Sequence, residues 1–449
     1  MPRSSPSEIA LKVRRLARRI VDPLPPTPLG LAVAAASALA LGRYGLERLD
    51  LVLFVMGALG LALSAISLLT VSLAGILLKL RIKPPSSEGA ARRVEARSVF
   101  RTEFSAPPYW FLPLLRVGWE WEEPPGFDVH AVSTPGRQLE DVVAAERGIW
   151  RRIVRRIVVE DAFGLFRVAF RCTEQRELIV LPHAGELRQM PVVRSLAAGD
   201  DLSHPLGLPE GDRVDTRRYA PGDPVRLILW KTFARTRQLM VRVPERAIAP
   251  ARRTLGYLVA GPSDEPAAAA ARVAIESGAF GSDWLFGADG DPTPASALDE
   301  ALLRIAGSSR ARTEGAVQLA RFIRENDRFA TSRVVLFVPP RPGPWLDLVC
   351  SFALERPRGI DVVVATDGIA GPPASAARWG ATLRSAASRA FGALLARGPA
   401  VRRTRASEID AVLTRLAHAR VRALLVDRAS GKAFGKEHQR ALARVERAA

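Results

Sequence analysis

From Leu51 to Leu78 the chain runs for 28 residues without a charged side chain. As a helix this run reaches roughly 42 Å, more than the ~30 Å hydrocarbon core of a bilayer. It is apolar on every face, so it predicts a helix that crosses a membrane rather than one that covers a soluble core. A shorter apolar stretch, Leu29 to Gly42, precedes it, and Pro28–Leu46 becomes long enough to span if Arg43 reaches to the interface. Charge pairs the two. Lys12, Arg14, Arg15, Arg18 and Arg19 lie before the first run and Lys79, Arg81 and Lys83 after the second, while Arg43, Glu47, Arg48 and Asp50 cancel in the connector. Positive-inside logic then predicts a multi-pass hairpin in the inner (cytoplasmic) membrane, with both basic flanks and the soluble chain facing the cytoplasm. A cleaved signal peptide is the competing reading of residues 1–42, but the second run comes too closely after the first for that to be a simple export signal.

The 449 residues exceed one ordinary domain. Two distant cysteines, Cys172 and Cys350, exclude a disulfide framework and predict buried, inert thiols. The five histidines, His130, His183, His204, His418 and His438, never fall at metal-ligand spacing, and no phosphate-binding or nucleophile-elbow string occurs. A net charge of +19 points toward nucleic acid or an anionic membrane surface. It comes from 59 arginines against six lysines, spread over the whole chain and accompanied by no nucleic-acid-binding motif, which argues against nucleic acid as the partner. The densest basic run, Arg151-Arg152-Ile153-Val154-Arg155-Arg156, reads as a solvated or charge-guarded edge strand.

Lys83 to Gly89 reads as a linker, rich in Pro and Ser. Between it and residue 185, short extended runs (Val94–Phe104, Leu115–Trp121, Ile153–Val159, Leu178–Leu181) separated by Pro and Gly predict a β-sandwich. Trp110, Trp119, Trp121 and Trp150 are its aromatic candidates for a ligand surface, with core packing the commoner use. After residue 250 the rhythm changes. Candidate strands Thr254–Val259, Trp284–Gly287, Val334–Val338, Asp361–Ala365 and Val421–Val426 alternate with candidate helices Asp264–Ser277, Gly315–Arg324, Ala374–Leu395 and Glu408–Ala419. That alternation predicts a Rossmann-type parallel sheet covered on both faces. The fold class is therefore multidomain α+β: a basic N-terminus (1–27), a hairpin (28–80), a sandwich (85–185), a linker (186–250) and an α/β domain (251–449).

Residues 217–235 carry the most specific string, Arg-Arg-Tyr-Ala-Pro-Gly-Asp-Pro-Val-Arg-Leu-Ile-Leu-Trp-Lys-Thr-Phe-Ala-Arg. Pro221-Gly222 suits the centre of a type II turn. Asp223-Pro224 reads as an N-cap with Pro at the first helical position, predicting a helix with Leu227, Trp230 and Ala234 inward and Arg226, Lys231 and Arg235 at the rim. Arg217, Arg226, Lys231 and Arg235 then either tie this helix to flanking domains or form a docking surface.

This string resembles the signature of bacterial proteins grouped as domain of unknown function 58 (DUF58), Arg-x-Tyr-x-x-Gly-Asp-x-x-Arg-x-Ile-x-Trp-x-x-x-Ala-Arg. Arg217, Tyr219, Gly222, Asp223, Arg226, Ile228, Trp230, Ala234 and Arg235 match it, and Leu229 stands where the family often has Asp. Upstream, Glu160-Asp161-Ala162-Phe163-Gly164-Leu165-Phe166 is similar to the family's Asp-Pro-Phe-Gly-Leu-Phe, and Arg147-Gly148 to its Arg-Gly. The resemblance covers roughly residues 90–440 and implies an immunoglobulin-like (Ig-like) sandwich and a von Willebrand factor A-like C-terminal domain. In that domain an Asp-x-Ser-x-Ser string normally holds a divalent cation after the first strand. Here Ala260-Gly261-Pro262-Ser263-Asp264 lacks the first carboxylate, so Ser263 and Asp264 mark a degenerate site that reads as a helix cap, and Thr366-Asp367-Gly368 reads as an ordinary turn. The resemblance implies a MoxR-type AAA+ ATPase as partner, and no cofactor. The expectation is a non-enzymatic, membrane-anchored interaction protein. Its rivals are an enzyme acting on cell-envelope precursors through Asp200, Asp201 or Asp223, and a nucleic-acid binder.

Overall fold

A computed structural model describes residues 22–82, 91–107, 114–134, 136–188, 215–223, 225–243, 253–313, 315–327, 332–355, 360–370, 403–419 and 421–434. The basic N-terminal flank, the linker at 83–89, Trp110, His204, Asp200, Asp201, Pro224 and the helix expected at 374–395 lie outside these. The chain divides into two units, Met1–Val180 and Leu181–Ala449.

In the first unit, helix α1 (Pro28–Leu39) starts on Thr27, whose hydroxyl accepts from Gly30 N–H at 3.0 Å, and runs into a π-helical turn (Ala40–Leu46). Helix α2 (Leu51–Arg81) is capped by Asp50, which accepts from Leu53 N–H. Pro28–Leu46 and Leu51–Arg81 are both long and apolar enough to cross a membrane. Their large side chains point outward, unlike those of a helix in a soluble core: Leu59 is 62% exposed, Ile66 61% and Leu69 67%. The two helices pack together through small residues. A Cβ on Gly57 would lie 2.6 Å from Leu41 N, and one on Gly60 2.2 Å from Ser37 Oγ.

Strands β1 (Arg92–Glu95), β2 (Val99–Ala106), β3 (Leu115–Glu123), β4 (Phe127–Thr134), β5 (Arg137–Ala144), β6 (Gly148–Asp161) and β7 (Arg167–Leu181) form two sheets, ordered β1-β7-β6-β3 and β2-β5-β4. The sheets pack face to face as a two-layer sandwich over Phe100, Trp121, Val142, Ile153 and Leu178. A second cluster joins Phe104, Trp119 and Ile157 to Ala74, Leu78 and Ile82, so the last turns of α2 are part of the core. Trp119 and Trp121 are buried there, which makes them packing residues rather than a ligand surface. Cys172 is buried as well.

The basic run departs in part from its expected place: Arg151 and Arg152 are solvated, but Arg155 and Arg156 are buried. β6 is flanked by β3 and β7 and is interior, not an edge. Arg155 is fully buried, donating to both Glu140 oxygens at 3.0 Å and to Glu174 at 2.6 Å, with Trp121 Nε1 and Thr102 Oγ1 also donating to Glu140. Phe104 and Trp121 lie against its guanidinium, 4.6 and 5.4 Å from the ring centres. On the opposite face of β6, Arg156 pairs with buried Asp22 at 2.6 Å and with Glu120 at 3.0 Å. A charged strand is tolerated inside the sandwich because its buried cations meet carboxylates brought by other strands and by the segment before α1.

The second unit holds β8 (Asp215–Arg218), α3 (Trp230–Thr236), β9 (Met240–Val243), β10 (Thr254–Leu258), α4 (Glu265–Glu276), β11 (Trp284–Ala288), β12 (Asp291–Ala295), α5 (Leu298–Gly307), α6 (Leu319–Asn326), β13 (Arg333–Val338), α7 (Pro344–Glu355), β14 (Ile360–Thr366), the short β15 (Ile369–Ala370) and β16 (Thr404–Arg405), α8 (Ala406–His418), β17 (Arg422–Asp427) and β18 (Lys432–Phe434). The main sheet is ordered β12-β11-β10-β13-β14-β17-β18. Its five inner strands are parallel, and the two edge strands antiparallel. The expected strands fall within a residue or two of those observed. β12 was not foreseen, because Pro292 and Pro294 argue against a strand everywhere except at an edge, where this one lies. Every residue of β10 is buried, as a sheet covered on both faces requires. Cys350, on α7, is buried with its thiol toward Arg415 O of α8 at 3.9 Å. Chain order reverses direction between β10 and β13, which makes the carboxyl ends of these two strands the topological switch point.

Candidate functional site

The signature folds as a small antiparallel ribbon with a helix between its strands. Arg217 pairs in register with Val241 and Arg218 with Met240, and Tyr219 N–H donates to Leu239 O at 2.9 Å. The turn forms where the sequence places it. Gly222 has φ of 101° and Asp223 N–H returns to Ala220 O at 3.1 Å, closing four residues around Pro221-Gly222.

The helix does not start beside Asp223. Residues 225–227 make one 3₁₀ turn, and Ile228 then extends to bridge Val241, with Leu229 N–H donating to Met240 O at 2.8 Å. The α-helix begins only at Trp230. Pairing with β9 thus outcompetes the local helix signal and resets which face is inward. Ile228 and Val241 are buried, whereas Trp230 is 55% exposed and Ala234 is exposed. Trp230 meets Phe233 edge-on at 6.3 Å. Asp223 is not a helix cap. Its carboxylate accepts from Ala220 N–H at 2.9 Å and from the Arg217 guanidinium at 2.5 Å, and these two, in that order, hold it below the usual carboxylate range.

Seven basic and two acidic side chains lie between residues 215 and 243. Arg226, Lys231 and Arg235 are exposed and have no acidic partner among the described residues. The arrangement is a cationic surface with one large aromatic side chain, Trp230, and an exposed Val225.

The degenerate cation site lies at the switch point. Asp264 stands at the N-cap position of α4, as expected, but its side chain makes no capping bond: one carboxylate oxygen accepts from Gly261 N–H at 3.1 Å and the other from Arg312 at 3.0 Å. Arg312 also holds Glu265 at 2.7 Å. Asp289, at the end of β11, accepts from Tyr257 Oη and Ala260 N–H at 2.8 Å and from Ala316 N–H at 2.9 Å. Ser263 has φ of 62°, and its hydroxyl joins none of these bonds. A divalent cation does not fit this donor set, because the Arg312 guanidinium already neutralises Asp264 and Glu265, and Asp289 is taken up by three donors. Asp367, expected in an ordinary turn, is instead buried in a two-pronged pair with Arg428, which also donates to His183 O at 2.9 Å.

The other motif, Glu160–Phe166, closes on Asp161. Its carboxylate accepts N–H bonds from Phe163, Leu165 and Phe166 at 2.8 to 2.9 Å and the hydroxyl of Ser67 on α2. Burial alone would raise the Asp161 pKa, but the Ser67 hydroxyl and the three backbone donors outweigh it and hold the carboxyl below its ordinary value. Arg147 is fully buried. Sequence reasoning flagged this turn but not Ser67, a serine in an apolar helix that carries no signal of its partner.

No protein-family model matches the chain, and no curated protein is similar to it. Among solved structures, a sialyltransferase from Photobacterium damsela is similar at 8% identity, over 62% of this chain and 42% of that one, with a TM-score of 0.17. The chain thus spans less than half the length of that enzyme, and a likeness this slight carries neither fold nor function.

Proposed function

We propose that the protein is a membrane-anchored interaction protein of the DUF58 type, which docks a MoxR-type AAA+ ATPase through the ribbon at 215–243. The observation that carries this reading is the exposed Trp230 within a cationic band. An aromatic side chain 55% open to solvent, in one short segment with exposed Arg226, Lys231 and Arg235, has the composition of a binding hot spot for an acidic surface.

Three features support the rest of the reading. Two mutually packed apolar helices favour a hairpin over a cleaved leader, and the basic residues Lys79 and Arg81 at the end of α2 favour a cytoplasmic position for the sandwich beyond it. The two-sheet packing of the first unit agrees with an Ig-like sandwich. In the second, taking β10 to β14 and β17 as strands one to six, the order is 3-2-1-4-5-6 with the third antiparallel, as in a von Willebrand factor A-like sheet. With Arg312 on Asp264 and Glu265, this domain acts as a scaffold and not as a metal-dependent receptor.

The test is affinity purification of the tagged full-length protein in mild detergent, with and without nucleotide, alongside Tyr219→Ala, Asp223→Ala and Trp230→Ala. An AAA+ ATPase is expected with the wild type and not with folded Trp230→Ala. Failure to enrich any such ATPase overturns the proposal.

A further inference from the structure

We propose that the rim of the sandwich carrying Leu114 and Phe163 is a second membrane contact, in which both side chains enter the boundary between headgroups and acyl chains. The inference rests on the reading of residues 28–67 as a membrane hairpin and adds to it a lipid-facing surface on the folded domain.

The Asp161 turn is pinned to both helices where they leave the sandwich. Thr27 donates its hydroxyl to Gly164 O and Leu165 O at 2.8 Å and its N–H to Leu165 O at 3.1 Å. A Cβ on Gly30 would lie 2.0 Å from Leu165 O, so backbone meets backbone there. From the other side Ser67 donates to Asp161. Beyond Ser67 the inner face of α2, Val71, Ala74 and Leu78, is sealed against the sandwich. Gly30 and Val33 on α1 and Ser67 on α2 touch the sandwich, so the part of the hairpin free of it is residues 34–46 and 51–66. At 1.5 Å per residue these reach about 20 Å and about 24 Å, short of the ~30 Å hydrocarbon core. A bilayer spanned by the hairpin therefore extends as far as the Asp161 turn and brings the rim to its boundary.

At that level the sandwich presents apolar tips. Phe163 is 51% exposed and Leu114 62%, and Ala162 N–H donates to Leu114 O at 2.7 Å, which joins the two loops. Arg116 and Arg167 stand behind them, both exposed and both opposite Glu160 in the strand register. This is the order a bilayer surface selects: apolar tips deepest, with guanidinium groups one strand step behind at headgroup phosphates. The Asp161 bonds make the turn rigid, so Phe163 is held out by the fold and not by a flexible loop.

The test uses the full-length protein in nanodiscs containing anionic phospholipid. Nitroxide labels are placed singly at Phe163→Cys, Leu114→Cys, Met56→Cys in the hairpin and Val317→Cys as an aqueous control, with the buried Cys172 and Cys350 left in place. Val317 is 66% exposed in the second unit. The ratio of oxygen to nickel-chelate accessibility is expected to be highest at residue 56, severalfold above the control at 163 and 114, and lowest at 317. Labels at 163 and 114 that match the control while 56 stays lipid-buried overturn the rim contact and leave the hairpin standing. A water-exposed label at 56 overturns the hairpin and the rim contact with it.

Discussion

Two turns in this molecule use the same vocabulary to opposite ends. Asp161 and Asp223 each share a turn with a glycine of positive φ, Gly164 at 73° and Gly222 at 101°, and each accepts from backbone N–H within its own turn. Asp161 takes three such bonds and a fourth from Ser67, 94 residues away, and is buried. Asp223 takes one backbone bond and one from Arg217, six residues away, at the surface. What separates a clamp from a display is the reach of the partner. A distant donor joins two elements and excludes water; a neighbouring one only shapes a loop.

The comparison sharpens first at the buried extreme. Arg155→Ala strands Glu140 and Glu174 in the sandwich core and is expected to cost about 3–5 kcal/mol in detergent-solubilised unfolding. The exposed pair of Arg152 with Glu123 provides the contrast, and Arg152→Ala should cost less than about 1 kcal/mol. Asp161→Ala, which orphans three backbone donors and Ser67, is expected to cost about 3 kcal/mol. An effect as small as that of Arg152→Ala would break the distinction between the two turns.

Acid should act on the same clamp. The Asp161 carboxyl is depressed in the folded state, so its contribution is complete above the unfolded value near 3.8 and is lost as pH falls through the lower folded value. Thermal unfolding of wild type and Asp161→Asn is expected to differ most at neutral pH and to converge below about pH 4. Ser67→Ala removes a single donor and should cost about 1 kcal/mol. Smallest of all, Asp223→Ala and Trp230→Ala should leave the melting temperature unmoved while altering what co-purifies. A melting transition that falls with either substitution makes the ribbon structural.

What could be read directly from the chain is what one-dimensional pattern encodes. The length of an uncharged run determines that α2 can cross a bilayer, and alternation of buried strands with helices determines the parallel sheet. Pro221-Gly222 determines its turn, since φ preference is local. Partners distant in sequence were decided only by the tertiary structure. Arg156 meets Asp22 across 134 residues, Arg428 meets Asp367 across 61 and Arg312 meets Asp264 across 48. The first two bury charges where a solvated or edge strand and an ordinary turn were expected, and the third draws the Asp264 side chain away from the helix whose N-cap position it occupies. Ile228 paired with Val241 likewise displaced a helix that Asp223-Pro224 favoured locally. The physical reason is common to all. Local signals are worth about 1 kcal/mol, whereas leaving a buried charge or strand edge unpaired costs several, so the long-range partner prevails.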